Sequence, residues 1–290
     1  MRTAIRRLHA RPIRRTLPKW LLMKEFLAVF AILALSLQSL QAPRLTFSSP
    51  IYVLQNGALT VTFDYMARPF AMVSPRNPVD MITNPGKEFL FYDGTWHPFG
   101  SPTSVKQDGP SSLSATFTVG PYTVVRLAQL TNYPALVFTY TVHSDLDMPS
   151  SVGFHLTVDY HPGTNVPSAG NHVEPVFVQF SSTYLSYSSP VVNRYNGSNI
   201  VVMQMKSDQF CFLAVDGRFP GKAALASGYP GVYSTPPVEG GTSVLGTDNA
   251  IAVELLDITV AAGGSVTFRA SMGQDLALKL AQVWAFVTTL

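Results

Sequence analysis

The chain has 290 residues, 47% of them hydrophobic and 13% charged, enough apolar material for one large core. Its net charge of +3 is a product of the N-terminus: eight of the 20 lysines and arginines lie within the first 24 residues, and from Pro43 onward 12 basic face 16 acidic residues. Without a basic patch interleaved with aromatics after residue 43, nucleic-acid binding is excluded, and the single cysteine, Cys211, excludes an intramolecular disulfide.

Residues 1–42 read as a targeting segment. A basic stretch precedes the apolar run Phe26 to Leu37, which has the length of a signal-peptide core and is short for a full membrane span. Ser39-Leu40-Gln41-Ala42 allows cleavage after Ala42, although Leu40 and Pro43 weaken that site. An uncleaved anchor through residues 20–42 is the alternative, and Met23 is an alternative start. Arg14-Arg15-Thr16-Leu17 is a faint twin-arginine pattern. The remainder is expected to be secreted or extracellular, with membrane contact only through residues 20–42.

From Arg44 to about Ala270 the pattern is strands and turns. Ile51 to Leu54 and Ala58 to Tyr65 flank Asn56-Gly57, and Phe89 to Tyr92 and Thr95 to His97 flank Asp93-Gly94; both are hairpin signals. Residues 66–87, with Pro69, Pro75, Pro78 and Pro85, predict a long excursion. Strands are predicted at Leu113 to Val119, Tyr122 to Leu130, Ala135 to His143 and Val152 to His161. In the third, Leu136, Phe138, Tyr140 and Val142 share a face; in the fourth, Phe154, Leu156, Val158 and Tyr160 oppose His155, Thr157, Asp159 and His161. Further strands fall at Val176 to Phe180, Ile200 to Met205, Gln209 to Val215, Ala250 to Val260 and Ser265 to Ala270, with residues 216–249 loop-rich. Asn196-Gly197-Ser198 is a glycosylation sequon. The pattern changes to helical period over Asp275 to Val287, where Leu276, Leu280, Val283 and Val287 share a face. Residues 43–270 thus predict an all-β sandwich, and residues 271–290 a terminal, linker-like helix.

Three stretches together resemble the N-terminal β-supersandwich of glucoamylase-type glycoside hydrolases, family fifteen. They are Asn56 to Tyr65 with Arg68, Ser74-Pro75 and Asp93 to Trp96; Thr131-Asn132 through Phe154 to Tyr160; and Thr259 to Phe268 with Met272-Gly273. The resemblance covers roughly residues 50–288 and implies a large antiparallel, galactose-mutarotase-like supersandwich. It also implies an α-glucan or other carbohydrate, or a separate catalytic domain or subunit, as partner. In that family a pair of glutamates on a downstream (α/α)6 barrel performs catalysis, so no catalytic residue carries over, and activity by the domain alone is not expected.

Site residues read from the pattern are few. His155, Asp159 and His161 share a strand face by their even spacing, which suits acid–base work or a metal; mutarotases of similar fold open a hexose ring with histidine and carboxylate. The plainer reading is a solvated polar face opposite the core. Trp96, Tyr184, Tyr187 and Tyr195 are candidates for stacking on sugar C–H faces. Glu88, Glu174, Glu239 and Glu254 are the only glutamates after residue 43, and none stands in a hydrolase pattern. No cofactor or metal is expected. A sugar epimerase and a cell-surface structural sandwich are the alternatives to the accessory-domain reading.

Overall fold

A computed structural model describes residues 51–78, 80, 82–160, 176–180, 183–185, 191–195, 199–206, 209–227, 249–276 and 279–289. Three antiparallel sheets form. The smallest is the meander β1 (Tyr52–Gln55), β2 (Thr60–Phe63) and β3 (Pro69–Val73). A six-stranded sheet holds β4 (Ile82–Tyr92), β5 (Thr95–Pro98), β10 (Ser150–Tyr160), β13 (Val191–Tyr195), β16 (Gly221–Ser227) and β17 (Asn249–Val260), in the spatial order β13-β16-β17-β10-β4-β5. A nine-stranded sheet holds β6 (Ser104–Gln107), β7 (Ser112–Val119), β8 (Tyr122–Leu130), β9 (Ala135–Ser144), β11 (Val176–Phe180), β12 (Thr183–Leu185), β14 (Ile200–Lys206), β15 (Gln209–Val215) and β18 (Ser265–Leu276), in the order β12-β11-β14-β15-β18-β9-β8-β7-β6.

The two larger sheets face each other across one core. Every second residue of β9 and β10 enters it, which is the two-residue period of a strand expressed as packing. Tyr140 of β9 meets Phe154 of β10 at 4.5 Å between ring centroids and Phe268 of β18 at 5.2 Å. Phe154 and Phe268 close the trio at 4.8 Å. Cys211 is buried in the same core, a structural thiol.

Strand signals dense in β-branched and aromatic residues translate directly: β8, β11 and β15 match the predicted ranges. Asp93 and Gly94 take positive φ of 53° and 72°, the geometry a two-residue hairpin turn needs between β4 and β5. Asn56 works differently. Its Oδ1 accepts the amides of Ala58 and Leu59, both at 2.8 Å, and its Nδ2 donates to the Thr131 carbonyl at 2.7 Å, so a side chain shapes the connection from β1 to β2.

The proline-rich excursion over residues 66–87 is not observed: it contains β3 and the first half of β4. Pro85 is tolerated because the pairing of β4 with β10 slips between Lys87↔Thr157 and Asn84↔Asp159, a bulge where a missing amide costs no ladder bond. β16 likewise lies where loop was expected, its small residues pairing along β17. The terminal helix α1 (Leu280–Val287) is shorter than its apolar pattern, because β18 stays paired with β15 as far as Leu276↔Gln209. Asp275 is thereby a strand residue, accepting the Ser74 hydroxyl at 2.8 Å and an ion pair from Arg76.

Helix α1 packs Val283 and Val287 onto Val201, Met203, Phe212 and Ala214 on the outer face of the nine-stranded sheet. Tyr133 stacks on Phe286 at 4.6 Å, and Asn199 Nδ2 donates to the Val287 carbonyl at 3.2 Å. Burying each valine contributes roughly 1.5–3 kcal/mol, which fixes a helix too short to be stable alone. Residues 1–50, with the expected targeting segment, cleavage site and anchor, lie outside the described residues.

Candidate functional site

Strand β10 is central in its sheet, with β17 on one side and β4 on the other. Its core face is apolar, and its other face carries His155, Thr157 and Asp159. Across that second face, pairing register lines up Lys222, Glu254, His155, Phe89 and Pro98 on five neighbouring strands. His155 Nδ1 lies 2.9 Å from Glu254 Oε1, with the two side chains 0% and 1% exposed. A nitrogen facing a carboxylate oxygen at that distance carries the hydrogen, so Glu254 accepts from Nδ1–H and sets the tautomer. Nε2 is buried and makes no hydrogen bond with a described residue.

Two aromatic rings meet the imidazole edge-on, Phe89 at 5.6 Å and Trp96 at 5.8 Å. Trp96 reaches His155 because Gly153 has no side chain: a Cβ there would stand 3.3 Å from the indole and 3.1 Å from Phe91 Cβ. Around Gly153 the register with β17 also shifts between Val152 and Phe154, and Asp257 takes a φ of 53°. Thr157 Oγ1 donates to the Ile251 carbonyl at 3.1 Å, tying the next row of this face.

The opposite face of the same sheet holds a second polar group. Glu88 of β4 points into the core, where it pairs with Arg126 of β8 and accepts a hydrogen bond from the Tyr140 hydroxyl. Arg126 also donates to the Ala67 carbonyl, and its guanidinium sits 5.2 Å from the Phe117 ring centroid and 5.3 Å from that of Phe138. Burial opposes the arginine's charge, but Glu88, with Tyr140 and Asp64, outweighs it and raises the pKa above the usual arginine value. Burial, then Glu88, hold the Tyr140 hydroxyl well above the ordinary tyrosine pKa. Asp64 organises the turn that presents Ala67: its Oδ1 accepts the amides of Met66 and Arg68, and its Oδ2 the Arg68 guanidinium at 2.7 Å.

The solvated polar face expected for β10 is therefore corrected. His155 and Asp159 are 0% and 2% exposed, because a central strand of a covered sheet has no water side. The structure brings Trp96 to His155, as the pattern of neither stretch foretold. It does not bring Asp159 to the dyad: four residues along a strand is about 13 Å, wider than a single sugar ring. Tyr184 falls in β12 and Tyr195 in β13, edge strands of different sheets. His161, Tyr187 and Asn196 lie outside the described residues. Glu254 was passed over in sequence, since its partner is 99 positions away. The one signal was a carboxylate inside the apolar strand run Ala250 to Val260. Among the described residues no three histidine, cysteine or carboxylate side chains gather as a metal site.

No protein-family model matches the sequence, and no curated protein matches it. Solved structures do. The galactose mutarotase/aldose epimerase homologue from C. elegans superposes with a TM-score of 0.52 at 10% identity, over 80% of this chain and 100% of that one. A putative aldose 1-epimerase from Escherichia coli K12 gives 0.49 at 12% identity, over 78% and 99%. A 4-alpha-glucanotransferase from Thermococcus litoralis gives 0.40 at 10% identity, over 76% of this chain and 37% of that chain. The chain has the galactose-mutarotase-like fold, an all-β antiparallel supersandwich with one short C-terminal helix among the described residues.

Proposed function

We propose that the chain acts on sugars and that His155 with Glu254 forms a proton-transfer dyad for opening an aldose ring. The observation that carries this reading is the buried Nδ1-to-carboxylate hydrogen bond, which leaves Nε2 as the nitrogen that can take up and release a proton. Ring opening needs a proton delivered to the ring oxygen as the bond from it to C1 breaks, and one removed from the C1 hydroxyl. An imidazole oriented and charge-stabilised by a carboxylate suits the first task near neutral pH. Trp96 and Phe89 beside it provide apolar faces of the kind on which sugar C–H groups stack. Export through residues 1–42 is part of the proposal, checked by N-terminal sequencing of the protein recovered outside the cell.

The test is mutarotation of glucose, galactose and maltose, followed by polarimetry. Wild type should accelerate the approach to equilibrium, and His155→Ala should lose roughly 10²–10⁴-fold of that acceleration, the usual share of a general acid. If wild type accelerates none of the three sugars, the dyad is not catalytic.

A second reading has its own support. The dyad is sealed, with 0% and 1% exposure, as a structural pair would be. On this reading the chain is the accessory sandwich of a larger α-glucan-processing hydrolase, and the resemblance to glucoamylase-type enzymes supplies its partner. It is distinguished by binding of soluble α-glucan without mutarotation.

A further inference from the structure

A polar cleft lies where three connections meet the end of strand β18. Gly57 comes from the β1–β2 turn, Arg76 from the β3–β4 connection, Asn132 from the β8–β9 turn and Asp275 from β18 itself. Its volume is about 330 Å3, at the small end of the range for ligand pockets. None of its lining residues belongs to the face that carries His155 and Glu254. The walls are tied to one another. Asn56 Nδ2 holds the Thr131 carbonyl at 2.7 Å, and Thr131 Oγ1 donates to the Tyr133 carbonyl at 2.9 Å. The Ser74 hydroxyl donates to Asp275 Oδ1 at 2.8 Å, which fastens the β3–β4 connection to β18. Gly273 lets the β8–β9 turn close on β18, since a Cβ there would overlap the Pro134 carbonyl. A cleft built in advance loses less on binding.

The lining carries no net charge. Asp275 is 2% exposed, and Arg76, its ion-pair partner, is 66% exposed. Because each neutralises the other, an anionic ligand would meet Asp275 and a cationic one Arg76 as a like charge. What the pair offers a ligand is hydrogen bonding. A guanidinium has five N–H donors, and among the described residues Arg76 directs only Nη2 to Asp275. Asn132 is exposed and adds an amide, which both donates and accepts. Tyr133 follows it, and its hydroxyl is buried without a hydrogen bond to a described residue. Burial first, and the Asp275 charge second, push that hydroxyl's pKa up to about 12, with Arg76 opposing, so it feels both members of the ion pair. Ala58, Pro75 and Pro134 supply the apolar part of the lining.

We propose that this cleft binds a neutral sugar ring, its adjacent hydroxyls meeting the Arg76 guanidinium, the Asn132 amide and the Tyr133 hydroxyl. The class follows from the lining. Each ring hydroxyl donates and accepts, as a lining that offers both without net charge requires. The C–H side of the ring covers the alanine and proline surface, and a ligand hydroxyl gives Tyr133 its partner. The site goes beyond the ring opening proposed above and does not rest on the dyad, since no bond is made or broken here.

The experiment is saturation-transfer NMR titration of the full chain with the methyl α-glycosides of glucose, galactose and mannose. Their blocked C1 oxygen prevents mutarotation, so the readout is separate from the reaction proposed for the dyad. At least one should saturate with a Kd below about 10 mM. Asn132→Ala and Tyr133→Phe should each weaken it roughly three- to tenfold, the worth of one hydrogen bond. Tyr133→Phe keeps the ring that stacks on Phe286, so weaker binding with an undiminished melting temperature marks a ligand contact and not a structural one. Gly57→Phe should abolish binding: Gly57 lines the cleft, and a Cβ there meets nothing within 4 Å, so the new ring enters open space. His155→Ala should leave binding unchanged. No saturation by any of the three glycosides would overturn the proposal. So would binding that survives Gly57→Phe, that is indifferent to both Asn132→Ala and Tyr133→Phe, or that disappears with His155→Ala, which would assign it to the dyad's face. A methyl glucuronide that binds more tightly than the methyl glucoside would overturn the neutral class.

Discussion

Glu88 and Glu254 occupy the two strands that flank β10, at nearly the same depth, and point to opposite faces of it. Glu88 faces the core and meets an arginine, whose proton is not lost at any working pH. Glu254 faces the other side and meets an imidazole, a group that can carry its proton on either of two nitrogens. One carboxylate joins β4 to β8 and β9 and thus one large sheet to the other; its second oxygen is occupied by Tyr140. The other sets the tautomer of a group whose remaining nitrogen makes no hydrogen bond with a described residue. Residue type and burial are shared, so the partner alone separates a structural tie from a site that can do chemistry.

The largest expected effect breaks the first half of this comparison. Glu88→Ala strands the Arg126 charge in the core and should cost about 3–5 kcal/mol in denaturant unfolding. The double change Glu88→Leu with Arg126→Met should recover most of that loss, since a buried ion pair adds little net stability over apolar packing. If the double variant is as unstable as the single one, the pair contributes more than its own neutralisation.

Asp80 sharpens the comparison with a carboxylate held by backbone amides. Its Oδ1 accepts those of Met72 at 3.0 Å and Ile82 at 3.1 Å, yet burial raises its pKa from 3.8 to about 6. A carboxyl whose folded pKa is raised favours the protonated native state. Its contribution to stability is full below the unfolded value of 3.8 and is lost as pH rises to about 6. Asp80→Asn keeps the Oδ1 acceptor and removes the charge. It should therefore stabilise the protein by about 2–3 kcal/mol at pH 8, with the advantage vanishing below about pH 4. Thermal melts at the two pH values test this, and an equal advantage at both would refute the charge explanation.

Glu254→Ala is the smallest. It removes the hydrogen bond that Oε1 accepts from His155, at an expected cost of about 1–3 kcal/mol by chemical denaturation. A loss as large as that of Glu88→Ala would mean that the imidazole is held charged, and the contrast between the two glutamates would fail. A much larger effect on mutarotation than on stability would support the dyad's proposed chemical role.

Much of the fold was legible in the residues. Tyr122 to Leu130 is rich enough in aromatic and β-branched residues, and Gln209 to Val215 long enough as an apolar run, that local composition alone sets each strand, and Asp93-Gly94 supplies the positive φ its turn requires. Weaker segments escaped: β16 is Gly221-Lys222-Ala223-Ala224-Leu225-Ala226-Ser227, without a β-branched or aromatic residue, and Pro85 disguised a strand that accommodates it in a bulge. Val283 and Val287 were correctly placed on one helical face, but Asp275 and Leu276 were drawn into the sheet by the β15 ladder.

The site was less legible. His155 stood out as a strand histidine, and its face followed from the period of two. What that face meets did not follow. Local sequence determined where strands run and which residues share a side, because those depend on backbone geometry and nearest neighbours. Only the tertiary structure decided that Glu254 lies beside His155, that Arg126 crosses the core to Glu88, and that the polar side of β10 is covered. Those facts rest on strand order and register between segments 38 to 99 residues apart, which no local pattern encodes.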